Sequence, residues 1–141
     1  MRSTILVAAA LALGALPARA ERPADFEAAF AAEARNADPA FAGFSAARGQ
    51  SFYASTHGGD WSCSTCHGGD PSAAGQHAVT GQRIEPLAPA ANAKRFSRTA
   101  SVEKWFRRNC NDVLKRPCTA QEKGDLLVWL MGASAGAGGA R

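Results

Sequence analysis

Apolar side chains recur at helical spacing in four segments of the chain, and no segment alternates apolar and polar residues for long enough to predict a sheet. The first segment follows Pro23 and places Phe26, Phe30 and Ala31 at helical spacing, with acidic residues between them. The sequence Asn-Ala-Asp-Pro at 36–39 then ends the pattern. This segment therefore predicts a short amphipathic helix.

A second helix is predicted between Asp38 and Ser55. Asp38 is a suitable N-cap, and Pro39 is a suitable first helical residue. Ser45 offers an alternative start within the same segment. The residues that recur on one side of this helix are Phe41, Phe44, Arg48 and Phe52.

Two further helices are predicted in the last third of the chain. The third opens at Ser101, and its apolar side contains Val102, Trp105, Phe106, Asn109, Cys110, Val113 and Leu114. Pro117 separates it from the fourth helix, which begins with a capping box at 119–122 and is predicted to end near Met131.

The middle of the chain has a different character. Residues 72–92 show neither helical nor strand spacing, and a loop of this length in a compact domain is expected to wrap around something. The predicted fold is therefore all-α, with a long central loop.

The first twenty residues have the pattern of a cleaved secretory signal. An early arginine precedes a twelve-residue apolar run from Ile5 to Leu16, and small residues follow as far as Ala20. This run is too short to span a bilayer, which takes about 20 residues, and it has no cysteine for lipid attachment. We therefore expect a signal at 1–20, a periplasmic domain at 21–131 without a membrane anchor, and a flexible Gly- and Ala-rich tail at 132–141.

The charge of the chain argues against nucleic acid as a partner. Removal of Arg2 and Arg19 with the signal lowers the formal net charge from +4 to +2, so the mature protein is not strongly basic. Residues 94–123 nevertheless contain nine Lys and Arg against three acidic residues. Such a region forms either a basic docking surface or an ordinary solvated helix face.

The segment Cys63-Ser64-Thr65-Cys66-His67 carries the most specific chemical signal. In an exported chain, Cys-x-x-Cys-His is the attachment sequence of c-type haem, in which both sulfurs bond to the vinyl groups and the imidazole binds iron. The alternatives are a zinc site formed by all four cysteines, a thioredoxin-like redox pair and a plain disulfide. Zinc sites usually repeat the two-residue gap, whereas Cys110 and Cys118 are more widely spaced, and a redox pair needs a βαβ context. The sequence predicts one covalent haem c.

Around this motif the chain resembles a class I c-type cytochrome. Gly49, Phe52 and Tyr53 match the helix that precedes the motif in that class, and Trp129 matches its C-terminal aromatic helix. The resemblance implies helices wrapped around one haem. It also implies that Gly49 and Gly124 allow two helices to approach closely, while Tyr53 packs against Trp129.

The residue that binds the iron opposite His67 is not evident from spacing. No methionine occurs between His67 and Met131, and Met131 is expected to pack in the core. His57 and His77 are alternatives, although exposed turn histidines are common. Asn109 is strongly polar on an apolar helix side, and a buried amide without a partner costs about 1–3 kcal/mol. Its partner is either iron or a backbone group.

The segment at 105–130 closely resembles the family of the sphaeroides haem protein and cytochrome c-double-prime. The motifs CSTCHG, TGQRIEPLAP, RF and VEKWF occur in the family's order and cover most of the mature chain. In that family the sixth ligand, Asn or His, directly precedes a second cysteine pair. The resemblance implies that Asn109 binds iron and that Cys110 and Cys118 form a disulfide. It also implies haem contacts from Pro86, Leu87, Arg95, Phe96, Trp105 and Phe106.

The expected function is one-electron transfer by a periplasmic monohaem cytochrome. An amide oxygen suits ferric iron better than ferrous iron, so Asn109 is expected to leave on reduction and to open a site for O2, NO or CO. The expected protein partners are redox proteins, including membrane-bound cytochromes. The alternatives are a small haem oxygen or NO reductase component, for which no acid or histidine is expected beside Asn109, and a simple six-coordinate electron shuttle.

Overall fold

Five helices form the frame of the computed structural model, which describes residues 20–136. They are α1 (Pro23–Ala37), α2 (Ala46–Ala54), α3 (Cys63–His67), α4 (Thr99–Leu114) and α5 (Ala120–Gly136). None of the helices in this range has both the length and the hydropathy needed to cross a membrane. The prediction of an all-α fold is confirmed.

The central loop contains one short element that the sequence does not predict. A two-stranded antiparallel hairpin pairs β1 (Gly75–Gln76) with β2 (Arg83–Ile84), so that Gly75 lies opposite Ile84. Strands of two residues are too short to give an alternating pattern of apolar and polar residues. The rest of the loop is irregular, as predicted.

The start of α2 differs from the first of its two predicted positions. Ser45 is the N-cap, and its hydroxyl accepts the N–H of Arg48 at 3.3 Å. Asp38 instead ends α1, and its carboxylate accepts the N–H of Ala40 at 2.8 Å. Gly43, with a φ of 110°, then turns the chain. The prediction of a helix from Asp38 is wrong because that carboxylate caps a turn, whereas the alternative start at Ser45 is confirmed.

The last helix is longer than predicted. Thr119 and Glu122 form the predicted capping box. The Thr119 N–H donates to the Glu122 carboxylate at 2.8 Å, and the Glu122 N–H donates to the Thr119 hydroxyl at 3.2 Å. The helix then continues past Met131 to Gly136, because alanine, which recurs there, is the strongest helix former. Residues 137–141 of the predicted tail and residues 1–19 of the predicted signal lie outside the described range.

The core lies between α1, α4 and α5. Phe26, Phe30, Val102 and Leu127 form its buried centre. Phe44, Phe96, Phe106 and Met131 pack against this centre, so Met131 lies in the core as predicted. Burial of this apolar surface stabilises the fold by about 25 cal/mol for each Å² removed from water.

The crossing of α2 and α5 brings the two backbones close together. A Cβ atom on Gly49 would lie 2.0 Å from the carbonyl oxygen of Asp125, so only glycine fits there. Tyr53 packs on Trp129 with ring centroids 4.7 Å apart. These two parts of the predicted crossing are confirmed. Gly124 has a different role, because the space beside it is filled by the ring of Phe44, which precedes α2.

An ion pair between the half-exposed Arg48 and the buried Asp125 holds the same crossing. The carboxylate of Asp125 accepts both the Nε of Arg48 at 2.7 Å and the backbone N–H of Ser45 at 2.6 Å. The hydrogen bond to Asp125 raises the pKa of Arg48. The residue that begins α2 is therefore tied directly to α5, which fixes the orientation of the helix that leads into α3.

Candidate haem site

The attachment motif forms α3, a helix of little more than one turn. Ser62 caps this helix, since its hydroxyl accepts the N–H of Thr65 at 3.2 Å while the Thr65 hydroxyl accepts the N–H of Ser62 at 3.0 Å. Residues three apart on a helix share one side, which brings Cys63 and Cys66 together. Both cysteines and His67 line one cavity of about 660 Å³, which we call the large cavity.

Two contacts position α3. The hydroxyl of Tyr53 on α2 donates to the carbonyl of Gly68 at 2.5 Å, and burial raises the pKa of Tyr53, so this donor stays protonated. A Cβ atom on Gly75 in β1 would lie 2.3 Å from the Cys66 carbonyl oxygen and 2.7 Å from the His67 Cα atom. The hairpin therefore packs directly on the backbone of the motif.

The central loop then returns to α3 and lines the large cavity. The N–H groups of Leu87 and Ala88 both donate to the carbonyl of Pro71 at 2.9 Å, just after the motif. The loop residues that line the large cavity are His77, Thr80, Gln82, Arg83, Ile84, Glu85, Leu87 and Asn92. The loop thus encloses the large cavity, in line with the expectation that it wraps around something.

The ionisation of the motif residues suits haem better than redox exchange. Burial and the nearby charge of Arg95 lower the pKa of His67 to about 4, so its imidazole is neutral, which is the form that binds a metal. Burial raises the pKa of the Cys63 thiol to about 11. Redox-active cysteines have lowered pKa values instead, so the pair does not fit the thioredoxin-like alternative.

The second cysteine pair is separate from the first. The sulfurs of Cys110 and Cys118 lie 1.94 Å apart, and their Cα atoms lie 5.6 Å apart. Across residues 20–136, no three His, Cys, Asp or Glu side chains come together in a way that could hold a metal ion. A zinc site made of all four cysteines therefore does not form.

Helix α4 forms the wall on which Asn109 lies. Its residues on the large cavity are Ser101, Trp105, Arg108, Asn109, Asp112 and Val113. Asn109 therefore lines the same cavity as His67, whereas Asn111 is exposed. Among the protein groups of residues 20–136, none forms a hydrogen bond with the Asn109 side chain. The backbone partner that remained open as an alternative to iron is absent from this part of the chain.

The other candidate ligands are placed less favourably. The ring of His57 forms a hydrogen bond with the Phe52 carbonyl at 2.9 Å and is not part of the large-cavity wall. His77 lines the large cavity, but its Nδ1 accepts the N–H groups of Val79 at 3.3 Å and Thr80 at 3.2 Å. Met131 lies in the core. His77 is thus the alternative to Asn109 that stays within reach of the site.

The predicted haem contacts divide into three groups. Leu87, Arg95 and Trp105 line the large cavity. Phe96 and Phe106 line only an adjoining cavity of about 110 Å³, which we call the small cavity. Pro86 lines neither of them. Its carbonyl accepts the Nε of Arg95 at 2.9 Å, so Pro86 orients Arg95, and direct contact of Pro86 with haem stays a prediction.

Comparison with known proteins gives the family. The chain matches the family described as a domain of unknown function, DUF1924, over residues 39–130. It is 52% identical over 89 residues to the cytochrome c-type protein SHP of Cereibacter sphaeroides. The aligned segment covers 60% of this chain and 68% of SHP. It is 39% identical over 74 residues to cytochrome c'' of Methylophilus methylotrophus. This aligned segment covers 52% of this chain and 51% of cytochrome c''. The chain belongs to the family of SHP and cytochrome c''.

Solved structures of this SHP and cytochrome c'' family have the same fold. The structure of oxidised SHP, described as an oxygen-binding cytochrome c, matches with a TM-score of 0.71 at 44% identity over 80% of this chain and 98% of that one. Oxidised cytochrome c'' matches with a TM-score of 0.69 at 32% identity over 77% and 92% of the two chains. This protein is accordingly a monohaem c-type cytochrome with one covalently bound haem c.

The chain's own residues fit that group. The large cavity falls in the range of about 300–1,000 Å³ that is usual for ligand and cofactor sites. Both thiols and the neutral imidazole lie on its wall, and the glycine at 75 lets the hairpin close behind them. These residues would hold the haem through two thioether bonds and one imidazole bond to iron.

Several residues of the large cavity were not predicted as contacts. Arg108 and Asp112 precede and follow Asn109 on α4, at positions that helical spacing brings to the same wall as Trp105. That spacing could have identified them, although the apolar pattern of the helix does not include either residue. Trp61 also lines the large cavity, but it lies in an irregular segment where no periodicity marks its orientation.

Proposed function

We propose that this cytochrome is an exported one-electron carrier in which His67 and Asn109 would hold the haem iron and Asn109 would give way to a diatomic gas on reduction. When bound, the haem supplies an iron that gains and loses a single electron. The observation that carries this proposal is that Asn109 lies on the large cavity with His67, without a protein partner among the described residues for its amide.

The chemistry of Asn109 supports its release. An amide oxygen is neutral and is attracted to the iron by the charge of the metal, which is one unit smaller after reduction. The neutral imidazole of His67 lies on a short helix that is capped by Ser62 and packed against Gly75. Reduction therefore weakens the hold on Asn109, whereas His67 is also kept in place by the packing of its helix. The gas-binding role is further supported by SHP, described as an oxygen-binding cytochrome c.

Carbon monoxide tests this proposal. We expect CO to change the visible spectrum of the reduced protein, because Asn109 has released its position. The oxidised protein should show no change, since CO binds ferrous and not ferric haem. A reduced protein whose spectrum is insensitive to CO would show that both His67 and Asn109 stay bound, and would favour a simple six-coordinate electron shuttle.

A second candidate function is a small oxygen or NO reductase component. Such an enzyme needs a proton donor near the gas, and none was expected beside Asn109. The structure instead places Asp112 on the wall of the large cavity, three residues after Asn109. Asp112 is exposed, so it could pass a proton from solvent. Steady consumption of O2 or NO in the presence of a reductant, lost in Asp112→Asn, would favour this function over a carrier.

The edge of the large cavity suits an acidic redox partner. Trp105 lines the large cavity while 43% of its surface is exposed. The Lys104 amine and the Arg108 guanidinium lie 5.4 Å and 5.2 Å from its ring centre. A partner such as another cytochrome, soluble or membrane-bound, would meet both an aromatic contact and positive charge here. Its electron-transfer rate should fall as salt screens these charges.

We also propose that the mature protein begins near Glu21 and contains the Cys110–Cys118 disulfide. The disulfide joins the end of α4 to the start of α5, next to Asn109. On the chain-entropy model, closing this short loop stabilises the fold by about 2–3 kcal/mol. We expect Cys110→Ala/Cys118→Ala to lower the free energy of unfolding by that amount in urea titrations.

Mass spectrometry of the unreduced protein tests the same two points independently. The intact mass should correspond to a chain that starts near Glu21 and carries one haem. Thiol labelling after denaturation should leave Cys110 and Cys118 unmodified. Labelling of either cysteine would contradict the disulfide, and an intact residue 1 in protein recovered from the periplasm would contradict signal cleavage.

A further inference from the structure

The small cavity adjoins the large cavity along α4. Four residues line only the small cavity, namely Phe96, Ser97, Val102 and Phe106, and its other wall is shared with the large cavity through Leu87, Lys94, Arg95, Ser101, Trp105 and Asn109. The small cavity therefore reaches the residue proposed to leave the iron, but from the side of the protein core. The four residues of its core-facing wall do not line the large cavity.

Packing fixes the apolar wall of the small cavity. Val102 is only 7% exposed, in the core cluster. The ring of Phe106 meets that of Phe30 edge to face, with centroids 5.7 Å apart, and the ring of Phe96 meets that of Phe26 at 6.2 Å. Phe96 also has a φ of 51°, a conformation that non-glycine residues seldom adopt and that persists only when the surroundings impose it.

The polar groups of the small cavity lie mostly on the wall that it shares with the large cavity, where Lys94, Arg95, Ser101 and Asn109 are found. A buried water needs two to four polar partners. The Arg95 guanidinium already donates to the carbonyls of Pro86 at 2.9 Å and Glu85 at 2.6 Å. The Ser97 hydroxyl donates to the Lys94 carbonyl at 2.9 Å. On the core side the wall consists of Phe96, Val102, Phe106 and the already bonded Ser97, which leaves too few free polar groups to hold a water molecule. Apolar walls of this kind bind xenon, and the volume of the small cavity is about 110 Å³.

We propose that the small cavity is a docking site for apolar diatomic gases, from which they reach the position that Asn109 leaves. Its apolar wall takes up a weakly polar molecule such as O2, NO or CO, and its shared wall at Asn109 leads to the large cavity. The inference has two steps, uptake of the gas by the small cavity and its passage to the position that Asn109 leaves. Only the second step rests on the proposed function. Uptake of an apolar probe by the small cavity does not require Asn109 to move.

Xenon tests the docking site in the haem-loaded protein. We expect saturable xenon binding by 129Xe NMR, and xenon density beside Val102 in pressurised crystals. Val102→Met places a longer, flexible side chain in the small cavity and should abolish this binding. The matched control is Val128→Met on α5, since Val128 lines neither cavity and should leave xenon binding unchanged. If Val102→Met does not fold, Ser97→Leu fills the small cavity from the other part of its wall.

Gas kinetics test the second step. After photolysis of the reduced protein with CO, the bimolecular rebinding rate should fall severalfold in Val102→Met and stay at the parent value in Val128→Met. Absence of saturable xenon binding in the parent would overturn the docking site, and an unchanged rebinding rate in a variant that has lost xenon would overturn its place on the gas route. A reduced parent that binds xenon but not CO would overturn the proposed function while leaving the docking site in place.

Discussion

Asn109→Ala is expected to turn the oxidised protein into one that binds azide and cyanide readily. In the parent an anion has to displace the Asn109 amide, whereas in the variant the position opposite His67 is open or holds water. The variant lacks the Asn109–iron interaction that an anion has to overcome in the parent. For every 1.4 kcal/mol of that interaction, the anion affinity of the variant rises about tenfold. We therefore expect the affinity for azide and cyanide to increase by at least about tenfold. Titrations followed by the visible spectrum of the oxidised protein measure it.

Asn111→Ala is the matched control for this experiment. It makes the same substitution on the same helix, at an exposed position that lines neither cavity. It should leave the oxidised spectrum and the anion affinity at parent values, and both variants should keep their covalent haem. Equal anion affinities for Asn109→Ala and the parent would show that Asn109 is not a ligand. His77, which also lines the large cavity, would then be tested in the same way.

Cys63→Ala/Cys66→Ala is expected to abolish covalent attachment of haem completely. Both thioether bonds are lost, while His67 is retained and still lines the large cavity. Acid–acetone extraction should therefore remove all haem from this variant and none from the parent. The measurement is the pyridine haemochrome spectrum of the protein pellet and of the extract.

The second cysteine pair provides the control for this result. Cys110→Ala/Cys118→Ala removes the same number of thiols, but these lie at the junction of α4 and α5 and line neither cavity. This variant should keep its haem through extraction, even though it is less stable. Extraction of haem from the parent, or retention of haem by Cys63→Ala/Cys66→Ala, would contradict attachment at the motif.

The elements that the sequence predicts well are those in which one local signal dominates. The apolar spacing of α1, α4 and α5 is sustained over several turns, and the Cys-x-x-Cys-His motif has few chemical uses. The start of α2 was uncertain because Asp38 and Ser45 carry equally good capping signals. The selection of Ser45 depends on its N–H bond to Asp125, 80 residues away, which local sequence does not reveal.

The unpredicted features of the helix crossing and of the haem site depend on contacts between distant segments. Gly124 faces the ring of Phe44, which depends on the path of the chain before α2. Asp112 reaches the large cavity because of the way α4 is rotated, which apolar spacing alone fixes only approximately. Asn109 was recognisable as an unusual polar residue, but its partner was not. Only the fold shows that it shares a cavity with His67 and has no protein partner among the described residues.

The measurement that tests the central claim most directly is the position of the Asn109 side chain in the two oxidation states. Crystal structures of the haem-loaded protein, one oxidised and one reduced in the crystal, would give the distance between the Asn109 Oδ1 atom and the iron. We predict a coordinate bond opposite His67 in the oxidised protein, and an Asn109 side chain withdrawn from the iron in the reduced protein. An Asn109 side chain away from the iron in the oxidised protein, or bound to it in both states, would contradict this account.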